Sequence, residues 1–160
     1  MAKLQADLRE FIALLNSHDV EYLVVGGHAV AFHGHPRFTG DIDLFVRTTS
    51  ENAQRLLRVI DAFGFAGVGI AEEDLTERGR VVSLGQPPNR IDILTSISGV
   101  DFVSAWESRV QTVLDDQPVA LLGWADLLKN KEASGRQKDK ADLEKLRAVA
   151  RKKSAARIHT

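Results

Sequence analysis

Three aspartates stand out among the side chains able to do chemistry: Asp41 and Asp43 in Asp41-Ile42-Asp43-Leu44, and Asp92 in Arg90-Ile91-Asp92-Ile93-Leu94. On an extended strand, residues i and i+2 project from one face, about 6.6 Å apart along the chain. Asp41 and Asp43 therefore point together, while Ile42, Leu44 and Val46 face the opposite way into apolar packing. Two carboxylates held side by side repel unless a cation sits between them. Oxygen-only ligands suit a hard ion such as Mg²⁺ or Mn²⁺. Asp92 lies between two isoleucines, and a charge isolated in so apolar a strand is costly. If the two strands pair, the three carboxylates converge and can hold two ions ~3.5–4 Å apart, as in-line phosphoryl or nucleotidyl displacement requires.

A glycine turn lies upstream. Tyr22-Leu23-Val24-Val25 ends in Gly26-Gly27, and thirteen residues separate Gly27 from Asp41. A strand that opens through glycines into a helix offers unobstructed backbone N–H groups to phosphate. The sequence is not a G-x-G-x-x-G fingerprint, which disfavours a dinucleotide fold. Met alone, an Asp-x-Asp pair is more often a solvated edge or turn. The glycine turn upstream and the apolar-flanked Asp92 downstream turn the balance toward a site.

The elements that must position these groups follow from periodicity. Leu4, Leu8, Phe11, Ile12 and Leu15 recur at helical spacing and predict a helix over 3–17. Tyr22–Val25 reads as a buried strand, His28–His33 as a short helix, Asp41–Val46 as a strand and Glu51–Phe63 as a helix with Leu56, Leu57, Ile60 and Phe63 on one face. Residues 64–79, Gly-rich and acidic, take no assignment. Val81–Leu84 and Arg90–Leu94 read as strands joined by Gly85-Gln86-Pro87-Pro88-Asn89. Asp101–Arg109 predicts a short helix and Gln117–Leu122 an edge segment. Gly123–Ala133 and Asp139–Lys153 predict two closing helices about the Ser134–Gln137 bend. No repeat or linker divides the chain. The expectation is one domain over 1–160 with an N-terminal helix within 1–20 and a helical C-terminus over 123–160. Its class is α/β (α+β), a mixed sheet flanked by helices.

Composition narrows the function classes. The 160 residues carry a formal net charge of −1, so no global field draws the molecule to nucleic acid or to an anionic membrane. There is no cysteine, which excludes disulfides, thiolate metal sites and a thiol nucleophile. Apolar runs such as Tyr22–Val25 are far shorter than the ~18 residues that span a bilayer. The first residues lack the apolar core of a secretion signal, so a cytoplasmic protein is expected.

Basic side chains near the carboxylates are candidates for phosphate. Arg37 and Thr39 closely precede the paired aspartates; Arg37 either neutralises phosphate or pairs with an aspartate. Lys131 continues the apolar stripe of Trp124, Leu127 and Leu128, so its amine either snorkels to solvent or meets a bound anion. Arg136 and Lys138 lie on the following bend, as a phosphate or acceptor clamp or as solvated loop. Asp139 and Asp142 are read as helix caps or as partners of Lys138 and Arg136, not as metal ligands. A metal site built from His28, His33 and His35 is a minor alternative without a fitting ligand pattern. The cluster Arg147, Arg151, Lys152, Lys153 and Arg157 reads as a solvated helix end, with RNA contact the lesser alternative.

Taken together, Val24-Val25-Gly26-Gly27, Asp41-Ile42-Asp43-Leu44 and Ile91-Asp92-Ile93 resemble the nucleotidyltransferase superfamily with the DNA polymerase β-like fold. More narrowly, Arg37–Asp43 and Lys131–Leu143 are similar to a small prokaryotic branch that includes the AbiE-type toxins. The resemblance implies a mixed sheet with Asp41 and Asp43 as metal ligands and Asp92 completing the cluster and activating the attacking hydroxyl. It also implies Gly26, Gly27, Arg37, Thr39, Lys131, Arg136 and Lys138 around the nucleotide. Two Mg²⁺ (or Mn²⁺) would accompany the NTP, and a nucleoside monophosphate would pass to a hydroxyl of tRNA, a protein or a small molecule, in a toxin–antitoxin setting for that branch. Many members carry Ser as the second turn residue where this chain has Gly27, which shifts triphosphate contacts to backbone and basic side chains. Two other readings stand beside it: a non-catalytic nucleotide-binding or antitoxin-like module on the same fold, and a sugar transferase using Asp-x-Asp with Mn²⁺, which leaves the glycine turn unexplained.

Overall fold

The computed structural model describes residues 6–34 and 40–158, with side chains through 155. Arg37, Thr39 and His35 therefore lie outside the described residues, as does the Arg157 side chain.

A six-stranded mixed sheet in the order β3-β4-β2-β1-β6-β5 forms the centre. Its strands are β1 (Tyr22–Val25), β2 (Ile42–Val46), β3 (Val81–Leu84), β4 (Ile91–Leu94), β5 (Val110–Leu114) and β6 (Gln117–Leu121). The helices are α1 (Ala6–Ser17), α2 (Gly26–Phe32), α3 (Ser50–Ile60), α4 (Phe102–Glu107), α5 (Trp124–Ser134) and α6 (Gln137–Ile158). This is the expected mixed sheet with flanking helices.

Each central strand is apolar because it is covered. Leu23, Val24, Ile42, Leu44, Ile91 and Ile93 are all fully buried, and burying each such side chain contributes about 1.5–3 kcal/mol. α1 closes one face with Leu8, Phe11, Ile12 and Leu15, the stripe read from the sequence apart from Leu4, which lies outside the described residues. α3 starts where Thr49 accepts a hydrogen bond from the N–H of Asn52 (3.3 Å), the Ncap arrangement. It ends at Ile60 rather than at the expected Phe63. The chain opens there into a wider turn over Asp61–Phe65, with Gly64 at φ +108°. Phe63 still packs edge-on against Phe11, ring centres 5.0 Å apart.

Three other boundaries differ from expectation. β5 occupies a stretch to which the sequence assigned no element, and it pairs antiparallel with β6 across Asp115 and Asp116, both at positive φ. α2 starts at Gly26 itself, so the glycines are its first turn and not merely the end of β1. α6 runs for 22 residues. No helix among the described residues is long and apolar enough to cross a membrane.

Candidate active site

β2 and β4 are parallel neighbours, and their register sets Asp43 directly opposite Asp92. The alternation that buries Ile42, Leu44, Ile91 and Ile93 on one face leaves the two aspartates together on the other. Their carboxyl groups are in hydrogen-bonding contact. Burial first, and then the charge and hydrogen bond of Asp92, push Asp43 up to about 6, against the weaker opposing pull of Lys138 and Arg90. Asp92 also accepts a hydrogen bond from Ser83 Oγ on β3 (2.7 Å).

Asp41 precedes β2 and is held differently. Its Oδ1 accepts the main-chain N–H of Arg90 (2.9 Å). The Arg90 guanidinium lies between it and Asp92, with Nη2 3.6 Å from Asp41 Oδ2 and Nε 3.2 Å from Asp92 Oδ1. The expected convergence thus has two parts: Asp43 and Asp92 meet directly, and Asp41 joins them through Arg90. Among the described residues, no three His, Asp or Glu side chains stand close enough together to hold one ion.

The glycine turn closes over the pair. Val25 is the register partner of Asp43 across β1 and β2. Gly26, at φ +66°, leaves no room for a Cβ, which would overlap Asp43 Oδ2. α2 has no side-chain cap, so the N–H groups of its first turn take no bond from that source. His28, on α2, is buried and bonded to the Asp41 backbone; burial lowers its pKa and that carbonyl partly restores it. The histidine that the sequence offered as a weak metal ligand instead fixes the main chain at Asp41. His33 bonds through Nε2 to the carbonyl of Leu122 (2.8 Å).

The other wall comes from α5 and α6. Lys131 does not snorkel: it is 4% exposed, with Nζ 3.1 Å from Asp139 and 3.2 Å from Asp142. Its anions are these two carboxylates. Asp139 also takes hydrogen bonds from Arg136 Nε (2.6 Å) and Ser134 Oγ (2.5 Å). Burial alone would raise the Asp139 pKa, but Arg136, Ser134 and Lys131 together hold it well below the carboxylate range. Asp139 and Asp142 therefore serve as partners, as read, with Lys131 in place of Lys138. The charges of Arg136 and Lys138 both act on Asp43. A cavity of about 300 Å³ opens between these walls, lined by Val25, Gly26, Asp43, Leu94, Ile97, Ser98, Asn130, Lys131, Ser134 and Arg136.

The donor set suits a divalent cation. Asp43 and Asp92 share a half-buried contact held by a hydrogen bond while a proton is present; once both are ionised they repel, and a doubly charged ion would relieve that repulsion.

A family of nucleotidyltransferases of unknown function (DUF6036) matches residues 2–153. The chain belongs to this family. Membership makes this nucleotidyltransferase a transferase of nucleotidyl groups. The match does not select the AbiE-type branch. Among curated proteins none matches. Solved structures share the nucleotidyltransferase fold at low identity. The lincosamide antibiotic adenylyltransferase LnuA, bound to lincomycin, has a TM-score of 0.57 and 15% identity, over 93% of this chain and 99% of that one. TM1012 of Thermotoga maritima gives 0.59 and 16%, over 94% and 97%. The antibiotic-resistance factor ANT(2'')-Ia gives 0.54 and 17%, over 96% and 94%.

Sequence reasoning missed Arg90, which it treated only as the first residue of a strand. Its closeness to Asp92, two residues away in sequence, was readable, but its second partner, Asp41, comes within reach only through the parallel pairing of β2 and β4.

Proposed function

We propose that this nucleotidyltransferase moves a nucleoside monophosphate from an NTP to a hydroxyl of a small molecule, with divalent cations bound alongside the triphosphate. The observation that carries the reading is the Asp43–Asp92 contact, two carboxylates set in register beneath a glycine turn. Asp41, Asp43 and Asp92 are the residues that would hold Mg²⁺ or Mn²⁺, which when bound neutralises charge on the phosphates and acidifies the incoming hydroxyl. The hydroxyl oxygen forms a bond to the α-phosphorus as the bond to the bridging oxygen of the β-phosphate breaks. Pyrophosphate leaves with that electron pair, and the hydroxyl proton passes to Asp92. Gly26 and Gly27 bring backbone N–H groups to the phosphates, and Arg136 and Lys138 add charge; for Arg37 and Thr39, outside the described residues, the nucleotide role rests on the sequence resemblance alone. Lys131 acts through Asp139, which seats Arg136.

A small acceptor is favoured by three observations. Net charge is −1, the cavity beside Asp43 is about 300 Å³, and a similar fold of matching length binds lincomycin. The sequence resemblance to the AbiE-type branch keeps tRNA and a partner protein as rival acceptors, in a toxin–antitoxin setting. Incubation with α-labelled NTPs, Mn²⁺ and panels of hydroxylated antibiotics, tRNA and host proteins decides among them. Label on a small molecule with release of pyrophosphate is expected. Label on RNA or protein would reassign the acceptor, and equal labelling by Asp43→Ala would sink the catalytic assignment.

A further inference from the structure

We infer that Arg90 is a built-in counter-cation of the site: its guanidinium spans Asp41 and Asp92, and it must leave that position before both carboxylates can ligate a divalent ion. The inference rests on the metal-dependent reading above and adds a residue and a competition to it.

Four observations converge. The first is placement. Arg90 immediately precedes β4, and its main-chain N–H is tied to Asp41 Oδ1 at 2.9 Å, so the backbone delivers the side chain to the gap between the two strands. The second is reach. One planar guanidinium puts Nη2 3.6 Å from Asp41 and Nε 3.2 Å from Asp92, a span that a fork of donors makes and a point charge does not.

The third is the quality of those contacts. Neither is a directed hydrogen bond, and Nε is shielded from solvent without a hydrogen-bond partner. Arg47 meets Glu21 at 2.6 Å and Arg136 meets Asp139 at 2.6 Å, both in aligned hydrogen bonds. Arg90 is thus held by charge more than by fit, and an ion of higher charge can replace it at small cost. The fourth is room to move. The Arg90 side chain is 39% exposed, so solvent is open to it once released. Both carboxylate oxygens of Asp41 are engaged with Arg90, Oδ1 with its main chain and Oδ2 with its side chain.

The test is Mn²⁺ binding without nucleotide, read as the loss of the free-ion signal in electron paramagnetic resonance, on the full chain stripped with chelator. Wild type is compared with Arg90→Gln, Arg90→Lys and Asp43→Ala. The main-chain bond to Asp41 survives in every Arg90 variant. Both Arg90 variants are expected to bind Mn²⁺ roughly three- to tenfold more tightly than wild type, and Asp43→Ala to lose binding. If Arg90→Gln tightens binding while Arg90→Lys matches wild type, net charge and not occupancy is responsible, and the inference is overturned. Arg90 variants indistinguishable from wild type, with binding still lost in Asp43→Ala, overturn it while sparing the metal-dependent reading. Absence of Mn²⁺ binding in all four proteins overturns the inference; the metal-dependent reading falls with it only if wild type also fails to bind Mn²⁺ once an NTP is added.

Discussion

A methyl group on Gly26 would overlap Oδ2 of Asp43. The backbone at Gly26 also has φ +66°, a region that costs an L-residue about 1–2 kcal/mol. Steric exclusion and backbone conformation thus ask for glycine at one position, and the reason for the first is the carboxylate itself.

Gly26→Ala is therefore expected to lower stability by about 2–4 kcal/mol, adding the backbone strain to overpacking. It should reduce nucleotidyl transfer by roughly 100-fold through displacement of Asp43. Gly27, in the first turn of α2 and not at positive φ, should accept alanine with stability unchanged or raised by up to about 1 kcal/mol. Urea denaturation alongside transfer assays on the two variants checks the contrast. Equal effects would remove the special status of Gly26.

Asp43 holds its proton up to about pH 6 because of burial and the adjacent Asp92, whereas an unfolded aspartate loses it near ~3.9. The folded state binds the extra proton between these limits. Stability from this residue thus falls as pH rises from about 4 to 6 and stays low above. In chelator-treated protein at pH 8, Asp43→Asn should raise stability by about 1–2 kcal/mol, discounted for partial exposure, while abolishing transfer. Thermal melts of the pair across pH 4–8 test this, and a less stable Asp43→Asn at pH 8 would contradict it.

Lys131 keeps two buried carboxylates neutralised. Lys131→Met should cost about 3–5 kcal/mol, because it strands that charge. Adding Asp139→Asn and Asp142→Asn should recover most of the loss. The Asp139 pKa is depressed, so its contribution is complete above the ordinary carboxylate pKa of ~3.9 and disappears as pH falls below it toward the folded value. Acid melts should therefore be steeper for wild type than for the triple variant.

Buried His28 has a lowered pKa, so the unfolded state takes up its proton first. Stability from His28 is full above its unfolded pKa of ~6.5 and declines as pH drops below it. His28→Gln, which retains a donor for the Asp41 carbonyl, should flatten that decline and keep activity within about threefold. His28→Leu should lose roughly tenfold or more in kcat as Asp41 loosens. Melts over pH 5–7 and steady-state kinetics separate the two variants.

Much of this arrangement was legible in residue order, and what escaped did so for physical reasons. β1 announces itself because all four residues are buried, β4 because alternate residues are, and α1 because one stripe of it is. β5 did not, since its alternation is shallow, with Val113 52% exposed, and Asp115-Asp116 is not a usual hairpin pair. The Asp43–Asp92 contact followed from matching apolar flanks on two strands. The Arg90 bridge needs the parallel register itself, which spacing along one strand does not supply. Lys131 was ambiguous because its two partners lie on the next helix, beyond the reach of a single-helix periodicity.

β2 and β4 run parallel, and parallel neighbours need a long crossover. Here the excursion between Val46 and Ile91 contains α3 and β3. A nascent chain that has made β2 therefore carries Asp41 and Asp43 without their counterpart, and the repulsive Asp43–Asp92 pairing arises only when a high-contact-order step is complete. A cation that prefers the finished pair would stabilise only chains in which this crossover has closed, and so would favour the distant strand pairing over states that lack it.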